Sequence, residues 1–258
     1  MQYQHTVTMQ PGATVQGQGM QPAPLEPINC PPGLEYLVVI DQLWTHQVPE
    51  LLETFAGAKT RAKYVIKNGT GQPAFVAFEE AVGRVREAKA LRSFIMHVVN
   101  NFNREVMRVY RPYNLCAGCA ALCVCCAGRG PCGTEVLVEA PPGTVIGRVR
   151  QISGCGLKFE VRDAEDRAQL LIGDATCPCP CSYNPNFEIP VLTKTQPRQQ
   201  VGKLRKQWTA VGSHPRIVDN VGVQFPMDLD AKTKATLVGA MFLIDFMAGE
   251  GPRTDYQE

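Results

Sequence analysis

The chain has 258 residues, and its 26 basic and 24 acidic groups leave a formal net charge of +2. It is long enough to bury a sizeable core, but it has no global field to steer it to nucleic acid or to an anionic surface, so any such partner must be met by a local patch. Residues 1–20 lack the basic start and apolar centre of a cleavable signal. The 11 cysteines are therefore expected in a reducing compartment, as lipid, metal, redox or packing groups.

Met1 to Pro32 is rich in Gln, Gly and Pro and poor in large apolar residues, which predicts a disordered tail. Pro24 and Pro27 have the PxxP spacing accepted by grooves of the SH3 or WW type. Leu34 to Ile40 is apolar and β-branched and reads as a first strand; Pro49 to Phe55 has helical spacing, with Gly57 as a stop. Five hairpins then follow. Lys63–Lys67 and Ala74–Phe78 flank an Asn68-Gly69 turn, and Phe94–Val99 and Glu105–Tyr110 flank Asn100 to Asn103. Thr134–Glu139 and Val145–Arg150 flank Pro141-Pro142-Gly143, Lys158–Arg162 and Ala168–Ile172 flank an acidic turn, and Phe187–Leu192 and Gln200–Lys206 flank Gln196-Pro197. Strands at this spacing with hardly any amphipathic helix between them indicate a sandwich or barrel.

Near the end, Ala231 to Met247 reads AKTKATLVGAMFLIDFM. Leu237, Val238, Met241, Phe242, Leu243 and Ile244 leave no polar face, so this helix belongs either in a core or in a bilayer. A span needs about 20 apolar residues, Asp245 would be costly near mid-bilayer, and Lys232 and Lys234 would have to stay at an interface. The core is the favoured place. A closed barrel of about ten or more strands is wider than its own side chains can fill, so the fold that accounts for both features is a barrel threaded by residues 231–247. Asp230 is then the N-cap and Gly249 the stop.

In Pro31-Pro32-Gly33-Leu34-Glu35-Tyr36-Leu37, Lys63-Tyr64-Val65-Ile66-Lys67-Asn68, Glu139-Ala140-Pro141-Pro142-Gly143 and Gln224-Phe225-Pro226-Met227-Asp228-Leu229-Asp230, the sequence resembles the phospholipid scramblase family. The resemblance continues in Gly202-Lys203, Trp208-Thr209 and Phe242 to Met247, and so runs from Pro31 to Met247. It implies an all-β fold: a roughly twelve-stranded tubby-like barrel (residues 33–249) around one C-terminal apolar helix, between the tail 1–32 and a short tail 250–258. The implied activity is bidirectional, ATP-independent movement of phospholipids between leaflets. The implied location is the cytosolic face of a membrane, the plasma membrane first, with oligomers as one route to a lipid path. The alternative is an acyl-tethered, lipid-binding or signalling module of the same fold.

Four sets of residues carry the chemistry. Cys116, Cys119, Cys123, Cys125, Cys126 and Cys132, with Cys177, Cys179 and Cys181, have spacings compatible with zinc. The resemblance instead implies palmitate on Cys123, Cys125 and Cys126, and inert loop thiols are the third reading. The resemblance also places a twelve-residue calcium loop at Ile217 to Asp228, with Asp219, the Val223 carbonyl and Asp228 as ligands. Ile217 stands at the first ligand position, so weak affinity or a plain strand and turn is expected. Lys203, Arg205, Lys206 and Trp208 form a basic strand whose cations are expected to share a face. The family carries an import-receptor signal there, with a nucleus-bound form if acylation fails; three cations make DNA a poor partner. The histidines His5, His46, His97 and His214 show no triad or dyad spacing, so no catalytic centre is assigned.

Overall fold

The computed structural model describes residues 30–48, 63–80, 93–112, 134–152, 157–173, 186–211 and 216–247. Twelve strands form one closed antiparallel barrel: β1 (Gln42–Gln47), β2 (Lys63–Asn68), β3 (Pro73–Glu79), β4 (Phe94–Val99), β5 (Glu105–Arg111), β6 (Glu135–Glu139), β7 (Val145–Gln151), β8 (Phe159–Asp163), β9 (Ala168–Ile172), β10 (Phe187–Thr193), β11 (Gln200–Val211) and β12 (Arg216–Gln224). Each strand pairs with its sequence neighbours, and β1 closes the ring on β12, Leu43 facing Val223 and Thr45 facing Val221. All five predicted hairpins are present.

The strands alternate because only one face meets the core. Ile66, Met96, Val109, Val149, Phe159, Ile189 and Val223 point inward and are buried, while Arg108, Arg148, Arg150 and Arg162 occupy the outer face. A membrane-spanning barrel has the opposite arrangement, an apolar outer band around a polar lumen.

Helix α2 (Ala231–Met247) fills the lumen. Leu237, Ala240, Met241, Leu243 and Ile244 are fully buried, Phe242 packs edge-on to Tyr64 with centroids 5.6 Å apart, and Phe246 stacks on Phe94 at 4.4 Å. Asp230 caps its start, accepting a hydrogen bond from the Thr233 amide at 3.0 Å. Helix and wall approach closely where Gly147 and Gly239 lie: a Cβ on Gly147 would fall 2.9 Å from the Arg162 carbonyl, and one on Gly239 would strike Val138.

One expected element is different. Leu34 to Ile40 is no strand; Glu35–Val38 is a short helix, α1, and the first strand begins at Gln42. Gly33, at φ 91°, turns the chain over the barrel end. There Leu34 and Leu37, one helical turn apart, are both 1% exposed, while Tyr36 and Val39 face out. A strand would have split Leu34 and Leu37 onto opposite faces, and only one side here offers a core. The predicted helix at Pro49 to Phe55, the Pro24–Pro27 motif and the Gly249 stop lie outside the described residues.

Because the barrel is a meander, its two rims differ. The entry rim, where α2 begins, holds α1 and the five hairpin turns. At the exit rim, near Met247, the strands flanking residues 113–133 and 174–185, the two cysteine-rich segments, open toward the same end.

Candidate functional site

The charges that made α2 a poor membrane span are the groups that hold it in the barrel. At the entry rim Lys234 is fully buried, and its Nζ donates to the carbonyls of Met227 (2.7 Å), Ile40 (2.8 Å) and Leu37 (2.9 Å), with that of Val38 at 3.4 Å. The Phe225 ring lies 5.2 Å from the same ammonium. One cation thus satisfies carbonyls that α1 and the chain after it leave open. Burial pushes the Lys234 ammonium below its ordinary value, against the pull of Asp228 and Asp41.

At the exit rim Asp245 is gripped from the wall. Lys206 Nζ lies 3.1 Å from Asp245 Oδ1, and the Tyr64 hydroxyl donates to Oδ2 at 3.1 Å. The Lys206 side chain is 1% exposed and that of Asp245 13%. Helix α2 is therefore latched at both ends by charged hydrogen bonds made in low dielectric. Withdrawing it would strand Lys206, open the Lys234 carbonyl cage and bare the apolar lining of twelve strands. Among the described residues, no helix is long and apolar enough to cross a membrane.

This arrangement corrects the expectation that Lys203, Arg205 and Lys206 share a face. Strand period two sends Lys206 inward with Leu204, and sends Lys203 and Arg205 outward. The outer pair is already committed to Glu188 on β10, at 3.3 and 2.6 Å. Burial alone would raise Glu188, but the Arg205 and Lys203 bonds outweigh it and hold the carboxyl below its ordinary value. Two neutralised cations are a smaller polyanion footprint than the sequence offered.

The expected calcium positions fall mostly on regular sheet. Residues 216–224 form β12, in register with Lys203 to Val211 on one side and with Gln42 to His46 on the other. Val223 is a buried wall residue between Leu43 and Leu204. Asp219 stands opposite Trp208, with both side chains outside the described residues, and Asp228 lies beyond the strand, where its charge acts on Lys234. Among the described residues, no group of three or more His, Cys, Asp or Glu side chains could hold a metal ion. Cys123, Cys125, Cys126 and the alternative zinc thiols lie outside the described residues. Sequence reading counted Lys234 and Asp245 only as costs against a membrane span, and it gave Tyr64 no role; the missed signal was two charges on a helix with no polar face, which require partners inside the fold.

A wide apolar-cored barrel plugged by a helix that follows its last strand defines the class: a closed β-barrel with a captive helix. The family model described as Scramblase matches residues 21–250, and the chain belongs to that family. The chain is 41% identical to "Phospholipid scramblase 2" of Bos taurus over 96% of its own length and 81% of the relative's. It is 40% identical to "Phospholipid scramblase 1" of Mus musculus and 39% identical to "Phospholipid scramblase 1" of Homo sapiens, over 94% of this chain in both, and over 70% and 73% of those relatives. No solved structure matches.

Proposed function

We propose that this chain is a phospholipid scramblase that lets lipids pass between leaflets in both directions without ATP, from the cytosolic face of the plasma membrane. The observation that carries the reading is identity to named scramblases spread over nearly the whole chain rather than confined to one motif. Since α2 is latched inside the barrel, attachment on this reading falls to acyl chains on Cys123, Cys125 and Cys126; several chains give stable anchoring where one is marginal. Zinc at Cys116 and Cys119 is the competing use of the same region. A polar headgroup must cross about 30 Å of hydrocarbon, so the path runs outside the barrel, through oligomers or a locally thinned bilayer. Calcium at Asp219, Val223 and Asp228 then acts weakly, because β12 would have to leave its ladder to form a loop.

The test is reconstitution of the purified, acylated chain into vesicles with a fluorescent phospholipid and a membrane-impermeant quencher. Loss of fluorescence beyond the outer leaflet, without ATP, supports the reading; quenching that stops at the outer leaflet rejects it. The second reading, an acyl-tethered lipid-binding module with no flipping activity, is favoured by the two latches, which leave α2 no part in a lipid path. That module would bind such vesicles and leave the inner-leaflet fluorescence unquenched.

A further inference from the structure

The entry rim carries a pocket of about 490 Å³ between α1, the β2–β3 turn and the β4–β5 turn. Tyr36, Phe75 and Phe102 line it together with Glu35, Gln72, Asn100 and Asn101. Tyr36 is positioned from two sides: its hydroxyl accepts a hydrogen bond from Asn68 Nδ2 at 2.7 Å, and its ring meets Phe75 edge-on at 6.5 Å. Glu35 is held by the Gly33 amide at 2.9 Å. That hydrogen bond, and to a lesser degree Arg104, keeps its carboxyl below the ordinary value, so it is ionised at neutral pH. Gln72 and Asn100 have their carboxamide oxygens taken, by Asn68 Nδ2 and by the Phe102 and Arg104 amides, so they present N–H groups to a ligand.

Aromatic faces beside a carboxylate suit a quaternary ammonium. Carboxamide N–H groups and the nearby Arg104 suit a phosphodiester. Gln72 and Asn100 line the same pocket as Tyr36, Phe102 and Glu35, and Arg104 lies close enough for its charge to act on Glu35. Resting on the scramblase reading, we propose that this pocket binds the phosphocholine headgroup of a membrane lipid, with the trimethylammonium on Tyr36, Phe102 and Glu35 and the phosphate toward Gln72, Asn100 and Arg104. The surrounding rim fits a lipid source. The large apolar side chains exposed among the described residues are Tyr36, Val39, Phe102 and Met227, and all four lie at this rim. Phe102, at the tip of its turn, is 89% exposed.

The experiment is calorimetry of the unacylated full chain with glycerophosphocholine, glycerophosphoethanolamine and glycerophosphoserine, followed by flotation of the same unacylated protein with phosphatidylcholine vesicles. Glycerophosphocholine should bind about tenfold more tightly than the other two, and Phe102→Ala and Glu35→Gln should each weaken it about fivefold. Both positions are exposed, so the variants keep the wild-type melting temperature. Equal affinity for the three headgroups, or variants that bind as wild type, overturns the site. A chain that takes glycerophosphocholine but does not float with the vesicles reads a soluble ligand, which overturns the lipid assignment. None of these readouts measures flipping, so a failure here is distinct from a failure of the scramblase reading.

Discussion

Replacing Lys206 by Met tests the latch at the exit end of α2. The side chain is 1% exposed, and its ammonium sits 3.1 Å from an Asp245 carboxylate that is itself 13% exposed. Removing one partner of a buried pair costs about 3–5 kcal/mol, since the other charge is left in low dielectric. Asp245 keeps the Tyr64 hydroxyl and a small opening to water, so the lower end, about 3 kcal/mol, is expected. At about 2–4 °C per kcal/mol for a chain of this size, the melting temperature falls by about 6–12 °C. The double variant Lys206→Met/Asp245→Asn removes both charges and keeps an acceptor for Tyr64, and it should return to within about 1 kcal/mol of wild type. Urea unfolding followed by circular dichroism reads all three proteins. If the single variant loses less than about 1 kcal/mol, or the double loses as much as the single, the pair does not hold the helix.

Three other outcomes follow from the same geometry. Gly147→Ala drives a methyl toward the Arg162 carbonyl and the Thr236 side chain of α2, and should cost about 1–3 kcal/mol by denaturant unfolding; a neutral result would mean that helix and wall are not in close contact there. Burial alone would raise Glu160, but Lys194 and Arg162 outweigh it, and Glu105 is likewise lowered by Arg108 and His97. A carboxyl lowered in the folded state contributes stability above its unfolded value of 4.5, lost as pH falls through the folded value; unfolding curves should be flat near neutrality and weaken below pH 4.5, and a midpoint unmoved by acid would reject these pairs. Hydroxylamine, which cleaves thioesters, should release the chain from membranes, as should Ala at Cys123, Cys125 and Cys126 together. Retention after both treatments would return the anchor to a helix.

The hairpins were legible because each turn carries its own chemistry and each strand its own period. Asn68-Gly69 and Gly143 mark reversals locally, and the placing of Val149 between Arg148 and Arg150 states which side is wet. The closing pair was hidden. Gln42–Gln47 is too polar to announce itself as β1, and residues 216–224 matched a metal loop by position while their β-branched residues fitted a strand. Leu34 to Ile40 misled for the reverse reason: its composition favours a strand, but the barrel end offers it one apolar contact surface, and a helical turn uses that surface better.

From the residues alone came the ten strands of the five hairpins, the barrel, and a helix too short and too charged for a bilayer, because these depend on period, turn type and length, which are local; the count of twelve came from the family resemblance. Which cation faced which way was settled only by closure of the ring. Lys206 and Arg205 are neighbours in the chain, yet one meets Asp245 inside and the other Glu188 outside. Lys234 finds its carbonyls on α1 and on the loop before α2 only when the two ends of the domain meet. Pairings between groups far apart in sequence leave no local signal, and folding alone brings them within hydrogen-bond distance.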